Sequence, residues 1–284
     1  MVMAETDDQD MAEPQRPGAT GNLRAYLWTN SRFYLGLRAP CMRQRSPDCW
    51  LRAARGRAPE TVRAAIAQYC HGADGVERVN FRCARVRLTG SAEALFVKEF
   101  PQVHRLHKVE RWVRCSRVDR AWRAGHLLPL LGILTPRPVG TAYATAADGV
   151  ATEYLVTEWL ESAASFPDVL RNAGPPARAA LLGEFASRMR GWHSLGLYVR
   201  DLVKNVLVTN ENGARQYWLT DLDGLHPIRW PNRDRMLFHL RQLAHWARPL
   251  TREEAEMIAG SYLAGAGGQS EGSLSAIVAT LLAD

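Results

Sequence analysis

Five polar side chains in three short stretches have the types that phosphoryl transfer requires. They are Lys98 in ALFVKEF, then Asp201, Lys204 and Asn205 in LYVRDLVKNVLV, and Asp221 in LTDLDG. A lysine ammonium neutralises nucleotide phosphates, an amide and a carboxylate can hold Mg²⁺, and a second carboxylate can take the proton of an acceptor hydroxyl. The pattern therefore indicates metal-assisted phosphoryl transfer. From the residues alone, a strand-edge charge at Lys98, a turn cap at Asp201 and a structural Asp221 remain open alternatives.

The elements that must bring these side chains together are predicted mostly as strands. VERVNFRCARVRL predicts a hairpin, ALFVKEF a strand, and TEYLVTEWL a buried strand whose polar end could connect two lobes. A short hairpin through NENG, residues 210–213, can bring Asn205 and Asp221 together. An amphipathic helix is predicted over 176–195, and further helices follow it. This order predicts an α+β fold with a strand-rich first half and a helix-rich second half.

The chain divides into four predicted segments. Residues 1–21 lack an apolar pattern and are predicted to be a disordered tail, 22–75 a basic N-terminal extension, 76–157 a strand-rich lobe and 158–284 a helical lobe. The extension, in which PETVRAAIAQYC predicts a helix, could pack on the main domain or face anionic lipid. A long helix predicted over 105–131 has a basic residue at every third position, so it is either a solvated helix or an anion-facing patch.

The composition favours anionic partners. The chain of 284 residues has 36 Lys and Arg against 29 Asp and Glu, a net charge of +7, and a basic surface attracts phosphorylated sugars, nucleotides, anionic lipid or nucleic acid. No base-reading motif is present, so no nucleic-acid partner is expected. The five cysteines form no C-x-x-C pair, which argues against a disulfide framework or a zinc site. The apolar stretches are too short to cross a bilayer and no leader is recognised, so a cytoplasmic protein is expected.

The stretch from about residue 80 to 245 resembles the protein-kinase-like superfamily, and it is most similar to the bacterial lipopolysaccharide kinase family, which phosphorylates Kdo or heptose sugars. The similar pieces are FVKEF, SRVDRAWRAGHLLPLLGILTPRPVG, YLVTEWLES, MRGWHSLGLYVRDLVKNVLV and YWLTDLDGL. The resemblance implies a two-lobed kinase-like fold, ATP and Mg²⁺ as cofactors, and a sugar or glycolipid acceptor. It also suggests a cytoplasmic protein that could contact the anionic inner face of the membrane.

The resemblance implies a role for each site residue. Lys98 would contact the α- and β-phosphates, and Asp201 would be the catalytic base. Asn205 and Asp221 would be the Mg²⁺ ligands. The backbone of Glu158, Trp159 and Leu160 would receive adenine, and Lys204 would reach the transferred phosphate.

Several positions depart from the superfamily pattern. Val199 stands where a typical motif has His, and the step from Asp201 to Asn205 is one residue shorter than usual. HGADG, residues 71–75, is a poor substitute for a glycine-rich phosphate loop. The helix after the Lys98 strand has no clear Glu to pair with the lysine. Asp119 is the nearest acidic residue and Glu110 the next. The alternative reading is therefore a catalytically impaired, kinase-like module that binds an anionic partner.

Overall fold

The computed structural model describes residues 42–46, 49–54, 56–72, 74–102, 116–145, 151–227, 233–264 and 271–283. The tail predicted over 1–21 lies outside these residues. The same is true of 22–41 of the predicted extension and of 103–115 of the predicted basic helix, which include Glu110.

Strands dominate the first part of the described chain and helices the second. The strands are β1 (Met42–Ser46), β2 (Cys49–Ala53), β3 (Val76–Asn80), β4 (Cys83–Arg87), β5 (Ala94–Gln102), β6 (Pro138–Thr145), β7 (Ala151–Glu158), β8 (Ala164–Ser165), β9 (Leu197–Val199), β10 (Val206–Glu211), β11 (Ala214–Leu219) and β12 (Leu225–Pro227). The helices are α1 (Pro59–His71), α2 (Arg117–Leu127), α3 (Phe166–Arg171), α4 (Pro175–Ser194), α5 (Arg233–Trp246), α6 (Arg252–Ala264) and α7 (Glu271–Leu282).

The first lobe is one antiparallel sheet in the order β1-β2-β6-β7-β5-β4-β3. Helix α1 covers it through Val62, Ala65 and Tyr69, which lie in one apolar cluster with buried residues of the strands. The helix begins at Pro59, where a missing N–H costs nothing. It ends at Gly72, whose φ of 62° suits glycine.

The boundary predicted at residue 75 falls inside this lobe and is corrected by the sheet order. β1, β2 and α1 belong to the predicted extension, yet β2 pairs with β6 along its whole length. The sequence did not indicate β1 and β2, because MRQRS and CWLRA are short, arginine-rich and lack an alternating apolar pattern.

The second lobe packs helices α3 to α7 around two small sheets, β11-β10-β8 and β12-β9. Its core includes the stacked rings of Phe166 and Phe185, whose centroids are 4.3 Å apart, and the buried Tyr217. The predicted α+β fold, with a strand-rich first lobe and a helical second lobe, is confirmed. No helix among the described residues is long and apolar enough to cross a membrane.

Helix α2 connects the two lobes. It begins after Ser116, whose hydroxyl accepts a hydrogen bond from Asp119 N at 3.1 Å. Val118 and Trp122 on α2 belong to the same apolar cluster as the core of the helical lobe, while Gly125 lies against the Pro138 ring at the start of β6. The described part of the predicted basic helix therefore has a buried face and is not simply a solvated helix.

Candidate active site

Lys98 lies on β5, a central strand of the sheet, and its side chain reaches into the second lobe. β5 pairs with β4 on one side and β7 on the other, which places Lys98 opposite Cys83 and Leu155. The ammonium is ion-paired with Asp221 and lies 3.2 Å from Asp223 Oδ1. Lysine from the first lobe and two carboxylates from the second therefore meet at one point.

The β10–β11 hairpin positions Asp221. Val206 pairs with Leu219 at the open end of the hairpin, and Thr220 then hydrogen-bonds through both N and Oγ1 to Asn205 O at 2.8 Å. Asp221 follows at once with φ 56° and ψ 49°, a left-handed conformation that Asp tolerates better than most residues. Asn205 and Asp221 were predicted to lie close together. The two hydrogen bonds from Thr220, the residue before Asp221, to Asn205 O bring the two segments together.

Asp223 anchors both Lys98 and helix α2. Its side chain is 6% exposed and lies 2.7 Å from Arg117 Nε. Arg120 Nε also donates to the Asp223 carbonyl at 3.3 Å. The expectation that Asp119 could pair with Lys98 is wrong, because Asp119 forms an ion pair with Arg52 at 3.0 Å. Helix α2 thus contributes a cation, Arg117, to this cluster, and the carboxylate that pairs with Lys98 comes from Asp223.

These charges set the protonation of the cluster. Burial lowers the pKa of Lys98, but Asp223 and Asp221 outweigh it and hold that pKa above its ordinary value. Burial raises the pKa of Asp223, yet the hydrogen bond to Asp221 and the two cations lower it to about 2. Burial and the facing Asp223 raise the pKa of Asp221. At neutral pH Asp223 is therefore a fixed anion, and added positive charge is favoured at Asp221.

A cavity of about 260 Å³ opens beside Lys98 between the lobes, close to the lower end of the roughly 300–1,000 Å³ range of small-molecule sites. Its lining includes Phe96, Leu155, Trp159, Leu160, Leu207 and Asp221. Most of the lining side chains are apolar, and Lys98, Asp221 and Asp223 line the same cavity. This arrangement suits a flat apolar group joined to an anionic one.

The segment from Glu158 to Leu160 connects the lobes and lines this cavity. Glu158 N donates to Arg137 O at 3.0 Å and Trp159 N to Ala94 O at 3.1 Å. The Glu158 carboxylate accepts from Arg137 N at 2.9 Å. Among the described residues, the Leu160 N–H is the backbone N–H of this segment that donates to no backbone carbonyl. Of the three residues predicted to receive adenine, Leu160 therefore offers the available backbone donor.

The β3–β4 turn lies beside the Lys98 strand and borders the cavity. Val79 lines the cavity and Phe81 is 80% exposed. Asn80 Oδ1 accepts from Arg82 N at 2.8 Å and closes the turn. HGADG lies elsewhere, between α1 and β3, where the conformation of Gly75 lets the chain approach Arg87 O. The β3–β4 turn is therefore not glycine-rich, and its tip is aromatic.

Asp201 and Lys204 lie on the turn that follows β9, and both are half-exposed. Lys204 Nζ is 3.1 Å from Asp201 Oδ2. The cavity lining contains neither residue. Asp201 and Lys204 are therefore paired with each other, whereas Lys98 is paired with Asp221.

The donor atoms at the Asp221 corner fit a hard divalent cation that is shared with ligand phosphates. Among the described residues, no three His, Cys, Asp or Glu side chains form a group that could hold a metal by themselves. Mg²⁺ is commonly bound through one or two carboxylates together with substrate phosphates. The Asp221 carboxylate, 41% exposed and facing a second anion, meets that requirement.

Sequence reasoning missed Arg117 and Asp223. Arg117 belongs to a run of regularly spaced basic residues, and nothing in the sequence distinguishes the one that pairs with the Asp223 carboxylate. Asp223 had a signal, since it follows Asp221 at a spacing of two in LTDLDG and the turn after β11 brings both carboxylates to Lys98.

Comparison with known proteins assigns no family to this chain. No family model matches the sequence, and no curated protein matches it. Among solved structures, the chain is similar to one described as WaaP in complex with acyl carrier protein. The identity is 21% and the TM-score 0.49, over 80% of this chain and 90% of that chain. A similarity at this level carries no information on the chemistry of the site.

Proposed function

We propose that this protein is an ATP- and Mg²⁺-dependent phosphotransferase that acts on a sugar hydroxyl, Kdo or heptose, of a lipopolysaccharide-type glycolipid. The observation that carries the proposal is the ion pair between Lys98 of the sheet and Asp221 of the helical lobe. The pair lines an interlobe cavity that Glu158, Trp159 and Leu160 also line. A cation and a carboxylate from opposite lobes in a largely apolar cavity suit a nucleoside triphosphate.

Each side chain then has a defined task. The Leu160 N–H receives the adenine ring, and Lys98 neutralises the phosphates. Asp221 and Asn205 would hold Mg²⁺, which would supply positive charge to offset the charge on the phosphates. Asp223 and Arg117 keep Lys98 in place before the nucleotide arrives. The lysine is thus oriented in advance, so little of the binding free energy is spent on ordering it.

Asp201 acts as the base for the acceptor hydroxyl, and Lys204 attends the transferred phosphate. Their ion pair places both groups on the same exposed turn, where an acceptor from solution can reach them. A carboxylate beside the acceptor hydroxyl orients it and takes its proton as the phosphate transfers.

The acceptor end of the site favours an anionic molecule. Arg200 and Arg235 are exposed, as is Lys204. Arg235 lies over the ring of Tyr198 at 5.1 Å, and Tyr198 shortly precedes Asp201 in the chain. Clustered cations raise the local concentration of anions. A phosphate-bearing glycolipid fits this surface, and it would place the protein in the cytoplasm, in peripheral contact with the anionic inner face of the membrane.

The test is phosphate transfer from labelled ATP to a lipopolysaccharide-core acceptor by the full chain. We expect Asp201→Asn and Asp221→Asn each to reduce transfer by about 10³-fold or more while the fold survives. Asp168→Asn, which alters an exposed carboxylate on α3, is the matched control and should transfer at the rate of the unaltered protein. Transfer that persists in both site variants would refute the proposal.

A non-catalytic module that binds an anionic partner is the second candidate. Its support is the β3–β4 turn without glycine and the engagement of Asp201 by Lys204. Thermal unfolding with and without Mg·ATP separates the candidates when it is combined with the transfer assay. Ligand at one hundred times Kd stabilises a fold by about 2.7 kcal/mol. Stabilisation without transfer to any sugar acceptor would favour the binding module.

A further inference from the structure

Three buried side chains form a hydrogen-bonded line that ends on the backbone two residues before Asp201. Tyr262 on α6 contacts His193 Nδ1 on α4 at 2.7 Å, and His193 Nε2 contacts His239 Nδ1 on α5 at 2.7 Å. His239 Nε2 then contacts Val199 O at 2.7 Å. Each of these residues is at most 3% exposed, so water does not compete for the contacts.

The carbonyl at the end of the line determines the direction of every bond. Val199 O can only accept, so His239 Nε2 carries a proton and donates it. His239 Nδ1 must then accept from His193 Nε2, and His193 Nδ1 must accept from the Tyr262 hydroxyl. Burial lowers the pKa of both imidazoles, to about 3 for His193 and about 4 for His239, in agreement with two neutral rings. One tautomer of each ring satisfies the whole line.

Helix α5 also donates a hydrogen bond to the next backbone carbonyl, that of Arg200. Gln242, one turn after His239, donates from Nε2 to Arg200 O at 2.8 Å. Two successive carbonyls, those of Val199 and Arg200, are thus held by one helix face. β12 holds the same segment from the other side, because Leu225 pairs with Val199. The backbone that leads into Asp201 is therefore fixed from two directions.

We propose that Tyr262, His193 and His239 are positioning residues that hold the loop bearing Asp201 in its reactive place. The inference rests on the proposed function, since it takes Asp201 as the base. A typical motif has His at the position of Val199. Here His239, from a helix distant in the sequence, bonds the Val199 backbone instead.

A purely structural role explains the line poorly. Buried polar groups cost stability unless every one is paired, and apolar side chains of similar volume avoid that cost. The apolar cluster that contains Tyr262 also contains Leu240, Leu243 and Ile258, all of them buried. The hydrogen-bonded line ends at the loop, on the Val199 carbonyl. Because a hydrogen bond is directional, it fixes the position of this carbonyl more closely than an apolar contact would.

The first experiment compares Tyr262→Phe with Tyr217→Phe. Each removes one hydroxyl from a buried tyrosine of the second lobe, and Tyr217 bonds Glu184 at 2.8 Å, outside the line. Losing the Tyr262 hydroxyl leaves His193 Nδ1 as a buried acceptor without its donor, so the His193 ring is held less firmly against His239. We expect kcat to fall about tenfold in Tyr262→Phe with the KM for ATP within about twofold, and both to be unchanged in Tyr217→Phe.

Substitutions at His239 provide the second comparison. His239→Leu removes the donor to Val199 O, while His239→Gln can still donate to it, so Gln should recover a large part of the kcat that Leu loses. Equal kcat in both variants, or a kcat for Tyr262→Phe equal to that of the unaltered protein, would overturn the inference.

Two measurements on the full chain without nucleotide keep this inference separate from the proposed function. Nitrogen-15 NMR should show the proton on Nε2 of both rings. Amide exchange over residues 199–202 should be about tenfold faster in Tyr262→Phe and unchanged in Tyr217→Phe. If no acceptor is phosphorylated but exchange responds in this way, the function is wrong and the positioning of the loop stands. A proton on Nδ1 of His239, or unaltered exchange, would overturn the positioning.

Discussion

Asp223 holds two cations at once, Lys98 from the sheet and Arg117 from α2, although its side chain is almost fully buried. A buried carboxylate is stabilising only while its partners remain, and removing the carboxylate leaves the Lys98 ammonium with Asp221 alone. The orientation of the lysine therefore depends on a residue that need not touch the nucleotide.

At this residue, Asp223→Asn should lower the free energy of unfolding by about 3 kcal/mol, because the buried carboxylate charge that faces Lys98 and Arg117 is lost. Asp168→Asn, at an exposed ion pair with Arg171, should change it little. Urea unfolding at pH 7 gives both values. Similar losses in the two variants would show that the buried cluster contributes no more than a surface pair.

At the scale of elements, the contact between α1 and β6 depends on the absence of a side chain at Gly140. A Cβ there would lie 2.4 Å from a Val62 methyl and 2.7 Å from Arg52 O. The backbone oxygen cannot rotate away, so the helix or the neighbouring strand would have to move.

Gly140→Ala should therefore destabilise the protein by about 1–3 kcal/mol. Gly191→Ala on α4, where a Cβ would meet nothing within 4 Å, should instead stabilise it by up to about 1 kcal/mol through the better helix propensity of Ala. Thermal and urea unfolding report both changes. A Gly140→Ala variant that is as stable as the parent would show that α1 can shift freely on the sheet.

Elements with a clear period were predictable, whereas contacts between elements were predictable only in part. The strand around Lys98 and the helix over 176–195 follow alternating and helical apolar patterns, and the order of motifs indicated that Lys98 would meet Asp221. The strand Pro138–Thr145 lies beside and includes prolines, which obscure the alternating pattern of a strand. The pairing of Arg117 with Asp223 depends on how α2 is rotated against the sheet, which local spacing does not encode.

For the molecule as a whole, buried neutral histidines link stability to pH. Burial lowers the pKa of His126 to about 4, that of His193 to about 3 and that of His239 to about 4. In the unfolded chain these histidines have a pKa of about 6.5. Between pH 6.5 and pH 4 the unfolded chain therefore binds protons that the folded chain does not bind. Their contribution is complete above pH 6.5 and is lost as pH falls from 6.5 toward 4.

We expect the free energy of unfolding to fall by about 2 kcal/mol for each of these histidines between pH 8 and pH 5. Urea titrations at the two pH values measure the loss. His126→Gln, which removes a titrating ring distant in sequence from the Asp201 loop, should reduce the loss by about 2 kcal/mol. A difference between the two pH values that His126→Gln leaves unchanged would contradict the assignment.

The sheet order also determines where this chain can be cut. Were the protein shortened to begin at residue 76, β6 would lose β2 and become an edge strand with a row of free N–H and C=O groups. The apolar sheet face under α1 would be bared as well. Exposed strands of this kind pair with other molecules, so the shortened protein would tend to self-associate and precipitate even with every proposed catalytic group still present.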